Sequence, residues 1–170
     1  MTPSNSRKRD GLGTKLRLVT QNFNGLKTDD QFDIITNTME TRGIDILVAQ
    51  ETWRHGKEKE AESIVVNDTQ IFLHGTVEQD PKNKRGSGGV AVFLSRTARQ
   101  AWDKAGNPEP TLGGAAPDHA RFMGIKLHFE TKKIIHKFFL ITSYHPHSGK
   151  DEDTIDEFYD NLNDFISQAP

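Results

Sequence analysis

The sequence predicts an α/β (α+β) fold with one mixed sheet and flanking helices. Short aliphatic runs bounded by polar turns, such as 44–49, are typical of buried strands. An amphipathic segment at 30–42 lies between the first two strand candidates, an arrangement that normally makes those strands parallel. The alternating segments 121–129 and 137–144 are separated by polar residues and indicate an antiparallel hairpin. Parallel and antiparallel pairs together make the sheet mixed.

The chain divides into a leader at 1–14 and a domain at 15–170. The leader carries Arg7-Lys8-Arg9, for which a flexible, solvated tail is the favoured interpretation over a contact with nucleic acid or an import receptor. The first strand of the domain is predicted at 16–21.

The first helix has signals at both ends. Thr28-Asp29-Asp30-Gln31 is a capping-box pattern, and Gly43 stands where a helix C-terminus favours positive φ. Between them the apolar residues recur at helical spacing: Phe32, Ile35 and Met39. A helix at 30–42 followed by a strand at 44–49 is the expectation.

The middle of the chain alternates short strands with polar segments. Residues 71–73 and 89–94 are predicted strands, 82–86 is a basic turn, 54–62 is a helix or a loop, and 103–118 is a loop. Near the C-terminus a second amphipathic helix is predicted at 154–166, with an acidic stretch at 151–153 that suits its N-terminal dipole. Its apolar positions are Ile155, Phe158, Leu162 and Phe165.

Composition excludes several kinds of chemistry. The 170 residues contain no cysteine, which rules out disulfides, thiolate metal sites and thiol nucleophiles. The net charge of −2 does not drive the whole chain onto nucleic acid or a membrane. No apolar run is long enough to span a bilayer, so no membrane partner is expected. An intracellular location is the expectation.

Polar residues follow two predicted strands directly. The first strand leads into Asn22-Phe23-Asn24-Gly25, and strand 44–49 leads into Gln50-Glu51-Thr52. Ligands of α/β sheets bind at the carboxyl ends of strands, and carboxylate and amide oxygens suit Mg²⁺. The pattern predicts one magnesium site built from both strand ends.

Four segments together resemble the endonuclease/exonuclease/phosphatase superfamily. In chain order they are 18–26 (Leu-Val-Thr-Gln-Asn-Phe-Asn-Gly-Leu), 46–52 (Ile-Leu-Val-Ala-Gln-Glu-Thr), 86–92 (Gly-Ser-Gly-Gly-Val-Ala-Val) and 140–146 (Leu-Ile-Thr-Ser-Tyr-His-Pro). Asn24 and Tyr144-His145-Pro146 make the chain most similar to the apurinic/apyrimidinic-like endonuclease domains of non-LTR retrotransposons.

The resemblance implies a four-layer α/β sandwich of which this chain is the N-terminal half. It also implies a magnesium-dependent phosphodiester hydrolase, a DNA endonuclease of retroelement type that uses Mg²⁺ or, in its place, Mn²⁺. By this resemblance Glu51 is the metal ligand, Asn22 contacts the phosphate beside the metal, and the Tyr144 hydroxyl reaches the target phosphate. The alternatives are a surface glutamate, a turn asparagine and an ordinary strand tyrosine.

Two further residues are substrate-binding candidates by the same resemblance. Asn24 stands where the family often has Asp, and an Asn-Gly turn is nearly as good an explanation. His147 stands where related nucleases often carry Asn. A zinc pair of His145 and His147 is disfavoured, because no further ligands accompany it.

The family's Gly-Asp-x-Asn and Ser-Asp-His motifs are absent from the sequence. The chain is therefore expected to be a truncated, inactive half, ending before the Gly-Asp-x-Asn strand and leaving an inner sheet face for a missing C-terminal half or a partner to cover. The intact protein would bind DNA, and a retroelement protein would be nuclear. The alternatives are a non-catalytic remnant or nucleic-acid-binding module, and a lipid or inositol phosphate phosphatase of the same superfamily.

Overall fold

A computed structural model describes residues 15–26, 28–54, 60–75, 88–113, 122–145 and 151–169. Eight strands and three helices follow one another within these ranges. The strands are β1 Leu18–Asn22, β2 Ile46–Gln50, β3 Glu62–Val66, β4 Thr69–His74, β5 Val90–Leu94, β6 Thr111–Gly113, β7 Phe122–Thr131 and β8 Ile134–Ser143. The helices are α1 Asp30–Arg42, α2 Arg96–Lys104 and α3 Glu152–Ser167.

The larger sheet is mixed and has the strand order β1-β2-β5-β4-β3. Strands β1 and β2 run parallel, while β5 is antiparallel to both β2 and β4. The carboxyl ends of β1, β2 and β4 therefore lie at one edge of the sheet. The α/β class, the mixed sheet and the parallel pairing of β1 with β2 are confirmed.

The smaller sheet is antiparallel, with the order β6-β7-β8. Alternate residues of β7 pack on one face of the larger sheet, in a single apolar cluster with residues of β2, β4, β5 and α2. The opposite face of the smaller sheet packs against α3 through Phe122, Phe158 and Phe165. This second sheet goes beyond the single sheet expected from the sequence.

Helix α1 covers the other face of the larger sheet. Phe32 and Met39 are buried against Leu47, Ala49 and Phe93. The layers are thus α1, the larger sheet, the smaller sheet and α3, which is the four-layer order that the resemblance implied.

The predicted signals of α1 act largely as expected. Its bounds are those predicted, and Gly43 ends it at φ 62° while Ile44 N–H donates to the Met39 carbonyl. The Gln31 side chain accepts from the Thr28 N–H at 3.0 Å, but the N-cap residue Asp29 makes no side-chain cap. Half of the predicted capping box is therefore present.

Burial differs sharply across the larger sheet. Strands β2, β4 and β5 are buried almost throughout, whereas β1 is exposed at four of its five residues. The expected uncovered inner face is wrong for the three central strands, because β7 and α2 bury them. It holds for β1, where Leu18 keeps 47% of its surface exposed, and the first half of β8 is exposed as well.

Three elements differ from the sequence-based expectation. Strand β6 and the end of α2 lie within the segment expected to be a loop, and β3 begins at the end of the segment expected to be a helix or a loop. Strand β6 has three residues, too few for a periodic pattern, and α2 has few large apolar residues because its buried positions are Ala98 and Ala101.

Several predictions fall outside the described residues: the leader at 1–14, the basic turn at 82–86, most of the segment 54–62, and His147. No helix among those described is long and apolar enough to cross a membrane.

Candidate active site

Four neighbouring strands bring one row of residues to the same edge of the larger sheet. Asn22 pairs with Gln50, Gln50 with Val90, and Val90 with His74. Neighbouring strands lie about 4.8 Å apart, and laterally paired residues point to the same face. Val90 belongs to the cluster between the two sheets, so the row faces the smaller sheet. The predicted site residues follow directly beyond this row.

Glu51 follows β2 in a left-handed backbone conformation, with φ 52°. This region is unfavourable for a residue with a Cβ and is kept where surrounding contacts enforce it. On one side, Gly25 N–H donates to the Glu51 carbonyl at 2.7 Å and Leu26 N–H to the Thr52 carbonyl at 2.8 Å. On the other side, Thr52 N–H donates to the Gly89 carbonyl at 3.3 Å. The segment 51–53 is thus clamped between the end of β1 and the start of β5.

The Asn22 side chain donates from Nδ2 to Oε1 of Glu51 at 2.8 Å. The Asn22 Oδ1 in turn accepts from the Asn24 N–H at 3.0 Å, which fixes the amide by its other end. Asn24 itself has φ 49° and precedes Gly25, so it forms a tight turn. The structure therefore joins Asn22 and Glu51 directly and places Asn24 beside them.

Position 25 requires a glycine because the segment that follows β2 passes very close to it. Its φ is 107°, and a Cβ there would lie 2.7 Å from the Trp53 ring. Beyond Trp53, Arg54 forms an ion pair with Asp29 at 3.1 Å and lies over the Phe32 ring at 5.0 Å. These contacts tie the segment after Glu51 to the start of α1.

Tyr144 reaches the same edge from the smaller sheet. Its Cδ1 lies 3.5 Å from the point where a Cβ on Gly88 would stand, and the Gly88 carbonyl accepts from the Trp53 N–H at 3.0 Å. The ring also packs on the core between the sheets and is half-buried. Tyr144 thus lies beside a residue that is hydrogen-bonded to the segment carrying Glu51.

The two histidine candidates have different outcomes. His145 is exposed, and its ring contacts Phe158 and Tyr159 of α3 at centroid distances of 4.9 and 5.5 Å. His145 therefore packs against α3. His147 lies outside the described residues, so its predicted role in substrate binding stays a prediction.

The donor set fits a magnesium-type ion with few protein ligands. Glu51 is half-buried and Asn22 is exposed, so water and a phosphate oxygen have access to the carboxylate. Mg²⁺ commonly takes one or two protein carboxylates and fills the rest of its shell with water and phosphate. Among the described residues no group of three His, Asp or Glu side chains is placed to hold a metal, so a denser all-protein cage does not form there.

His74 was not among the predicted site residues, although it directly follows the predicted strand 71–73, much as Glu51 lies just beyond the predicted strand 44–49. It is 6% exposed, and burial lowers the pKa of its imidazole, so the ring is neutral at neutral pH. Its Nδ1 has no hydrogen-bond partner among the described residues. The signal available in the sequence was its position, directly after 71–73.

The two packed sheets between outer helices define a four-layer α/β fold, with polar strand ends at one edge. The solved structures include one with this fold, the AP endonuclease LMAP from Leishmania major, with a TM-score of 0.63. The two chains are 18% identical, and the match covers 89% of this chain and 47% of that one. This chain thus spans about half the length of that neighbour.

No protein-family model matches the sequence, and no curated protein matches it. At 18% identity the structural likeness establishes the fold alone.

Proposed function

We propose that this chain is part of a magnesium-dependent phosphodiester hydrolase, a DNA endonuclease of retroelement type. The observation that carries the proposal is the 2.8 Å hydrogen bond from Asn22 Nδ2 to Glu51 Oε1 at the carboxyl ends of two parallel strands. The similar fold in an AP endonuclease supports a nuclease, and the motif order along the sequence supports the superfamily.

Glu51 would hold the ion, which polarises the scissile phosphate and stabilises the leaving oxygen when bound. Asn22 aligns the carboxylate through its amide and offers a neutral donor beside a phosphate oxygen. The Tyr144 hydroxyl would be a further donor to the phosphate from the smaller sheet. Asn24 supports the site by fixing the Asn22 amide.

The retroelement branch and the DNA substrate rest on Asn24 and on Tyr144-His145-Pro146. Glu51 and Asn22 would serve a phosphodiester of DNA and a lipid or inositol phosphate equally well, so the substrate is proposed from those motif details. Mn²⁺ is expected to replace Mg²⁺, because both prefer oxygen ligands.

A non-catalytic nucleic-acid-binding module is the second candidate. The observation in its favour is that the sequence contains neither the Gly-Asp-x-Asn nor the Ser-Asp-His motif, which carry the catalytic Asp and His in the superfamily it resembles. Such a module would bind DNA with an affinity that falls with salt, without cleavage and without dependence on Mg²⁺.

The test of the primary proposal is a plasmid-nicking assay with Mg²⁺, run on this chain and on a longer protein that contains it. The longer protein should nick, and Glu51→Gln should abolish nicking while leaving the fold intact. Glu62→Gln is the matched control, because it makes the same chemical change at an exposed residue on the opposite edge strand. Nicking that survives Glu51→Gln would overturn the site assignment.

A metal-binding measurement separates the site from the activity. Titration of this chain with Mn²⁺, followed by the paramagnetic resonance signal of the free ion, should show one weak site that Glu51→Gln removes and Glu62→Gln keeps. Salt-sensitive DNA binding without any ion binding would favour the second candidate.

The partner proposed for the exposed side is the remaining half of such a domain or another chain that covers it. The exposure of β1 and of the first half of β8 supports this, together with the 47% coverage of the neighbour. A chain with an uncovered side should bind a hydrophobic dye. A sharp thermal transition without dye binding would show that nothing further is needed.

A further inference from the structure

Three buried side-chain polar atoms have no hydrogen-bond partner among the described residues: Thr52 Oγ1, His74 Nδ1 and Thr142 Oγ1. Thr52 and Thr142 are 1% exposed and His74 is 6% exposed. All three lie at or behind the edge of the sheet that carries the candidate site. Each of these atoms calls for an explanation, because buried polar groups in proteins are nearly always satisfied.

His74 and Thr142 lie on opposite sides of the core between the two sheets, and each points toward the other sheet. His74 is paired with Val90 and stands two residues after Phe72, and both of these belong to that core. Thr142 is paired with Met123, another member of the same core. His74 in the larger sheet and Thr142 in the smaller sheet therefore point into the same interlayer space.

Tyr144 closes this space at the site edge. It is two residues beyond Thr142, on the same face of its chain, and it packs on the same core. Its ring lies against Gly88, while His74 is paired with Val90, only two residues away. His74 and Thr142 thus lie behind the tyrosine that is proposed to reach the phosphate.

The chemistry of the two groups suits a shared water molecule. A neutral imidazole has one donor and one acceptor nitrogen, and a threonine hydroxyl both donates and accepts. An unsatisfied buried polar group is costly, and an ordered water with two or more polar partners removes that cost. Apolar side chains of similar size would fill the same core with no such cost, so the presence of two polar residues there needs an explanation.

We propose that His74 is a positioning residue for Tyr144: with Thr142 and ordered water it forms a buried polar layer that fixes the Tyr144 ring against Gly88. This inference rests on the proposed function in one respect: that function gives the reason for fixing Tyr144, which is to present its hydroxyl to a phosphate. The arrangement of the layer itself does not depend on that function.

The test uses the chain's two tyrosines, Tyr144 and Tyr159, labelled with 3-fluorotyrosine. Tyr159 is half exposed on α3 and serves as the internal control. His74→Phe should shift and broaden the ¹⁹F resonance of Tyr144 and leave that of Tyr159 unchanged. His74→Gln keeps a polar group at the position and should restore a single sharp Tyr144 resonance.

A second measurement keeps the proposal falsifiable if His74→Phe does not fold. In the unchanged protein, the ¹⁵N signals of His74 should be those of a neutral ring with both nitrogens hydrogen-bonded, and should remain so below pH about 6.5, the usual pKa of histidine. A crystal structure should show ordered water between His74 Nδ1 and Thr142 Oγ1.

Two outcomes would overturn the proposal. One is a Tyr144 resonance that is the same in the unchanged protein, His74→Phe and His74→Gln. The other is a His74 ring whose Nδ1 has the ¹⁵N signal of a nitrogen without a hydrogen bond. Neither measurement needs metal or DNA, so a failure of the proposed function, seen as absent nicking, remains distinguishable from a failure of this inference.

Discussion

The centre and the rim of the larger sheet differ in burial and in packing, yet both contribute residues to the same candidate site. Strands β2 and β5 are buried on both faces, between α1 on one side and β7 with α2 on the other. Strand β1 pairs along one edge only among the described strands, and four of its five residues are exposed. Glu51 follows the buried centre, whereas Asn22 ends the exposed rim.

The two parts of the candidate site are therefore expected to differ in how easily they open locally. Residues of a buried centre exchange and open only with the whole fold, whereas rim elements with few apolar contacts open locally. The Glu51 backbone is clamped from both sides, while the Asn22 side chain depends on its own strand and on the bond to Glu51. The carboxylate is thus preorganised by the centre, and its amide partner is held by the rim.

The largest effect is expected from removing an aromatic ring at the centre. Phe93 is 0% exposed and packs on Phe32 of α1 with ring centroids 6.0 Å apart. Phe93→Ala should lower the free energy of unfolding by about 3–5 kcal/mol. Leu18→Ala on the rim should lower it by less than about 1 kcal/mol, because Leu18 is already half exposed.

Urea unfolding followed by circular dichroism measures both variants. Equal losses from Phe93→Ala and Leu18→Ala would contradict the division into centre and rim. A large loss from Leu18→Ala alone would show that β1 is buried in solution, as it would be in an assembly.

The buried centre and the helix α1 that covers it are also the parts of the fold that the sequence predicted best. Helix α1 was predicted with its observed bounds because apolar spacing, an N-terminal pattern and Gly43 all agree there. Strand β3 at the opposite rim and the three-residue β6 escaped prediction, since short half-exposed strands leave little periodic signal. Packing of the smaller sheet on the larger one is a long-range contact that no local pattern encodes.

The next largest effect is expected at Gly89, where the centre meets the site. Its φ is 82°, and a Cβ there would lie 2.5 Å from Thr52 Oγ1. Gly89→Ala should cost about 2–4 kcal/mol, from an unfavourable backbone conformation and from overpacking. It should also weaken Mn²⁺ binding, because Thr52 must move and Glu51 is its neighbour.

Gly106→Ala is the matched control for this change. Gly106 has φ 91°, and no atom lies within 4 Å of the point where its Cβ would stand, so the cost there is the backbone term alone, about 1–2 kcal/mol. Its variant should keep the Mn²⁺ affinity of the unchanged chain. Equal metal affinity in Gly89→Ala and the unchanged chain would show that the Glu51 segment tolerates the displacement.

The site was predictable to the extent that its residues follow strands directly. Asn22 and Glu51 could be selected as candidates because each lies at the end of a predicted strand, and the structure connects their side chains by a hydrogen bond. His74 and Thr142 escaped, since what distinguishes them is burial between two sheets without a partner among the described residues, and this exists only once the layers are packed. The roles assigned to Asn22, Glu51, Tyr144 and Asn24 stay predictions, because a position at the sheet edge does not by itself show a contact with metal or substrate.

The smallest effects are expected at the N-termini of α3 and α1, on the two outer layers. The Asp151 side chain accepts from the Thr154 N–H at 2.8 Å and from the Thr154 hydroxyl at 2.7 Å. Loss of such a cap costs about 1 kcal/mol, so Asp151→Ala should destabilise by about that amount. Asp29, the N-cap of α1, makes no side-chain cap and forms an exposed ion pair with Arg54. Asp29→Ala should therefore cost about 0.5 kcal/mol or less.

This pair of variants tests whether the outer layer unfolds together with the centre. If α3 is part of one cooperative unit, Asp151→Ala shifts the urea midpoint of the whole chain and changes no signal below the transition. If α3 opens on its own, the same variant lowers helical content in native buffer and leaves the midpoint in place. In the second case the face of the smaller sheet that Phe158 and Phe165 cover becomes exposed while the larger sheet stays folded. The division between the more stable and the less stable part of the fold would then lie between the two sheets rather than beside β1.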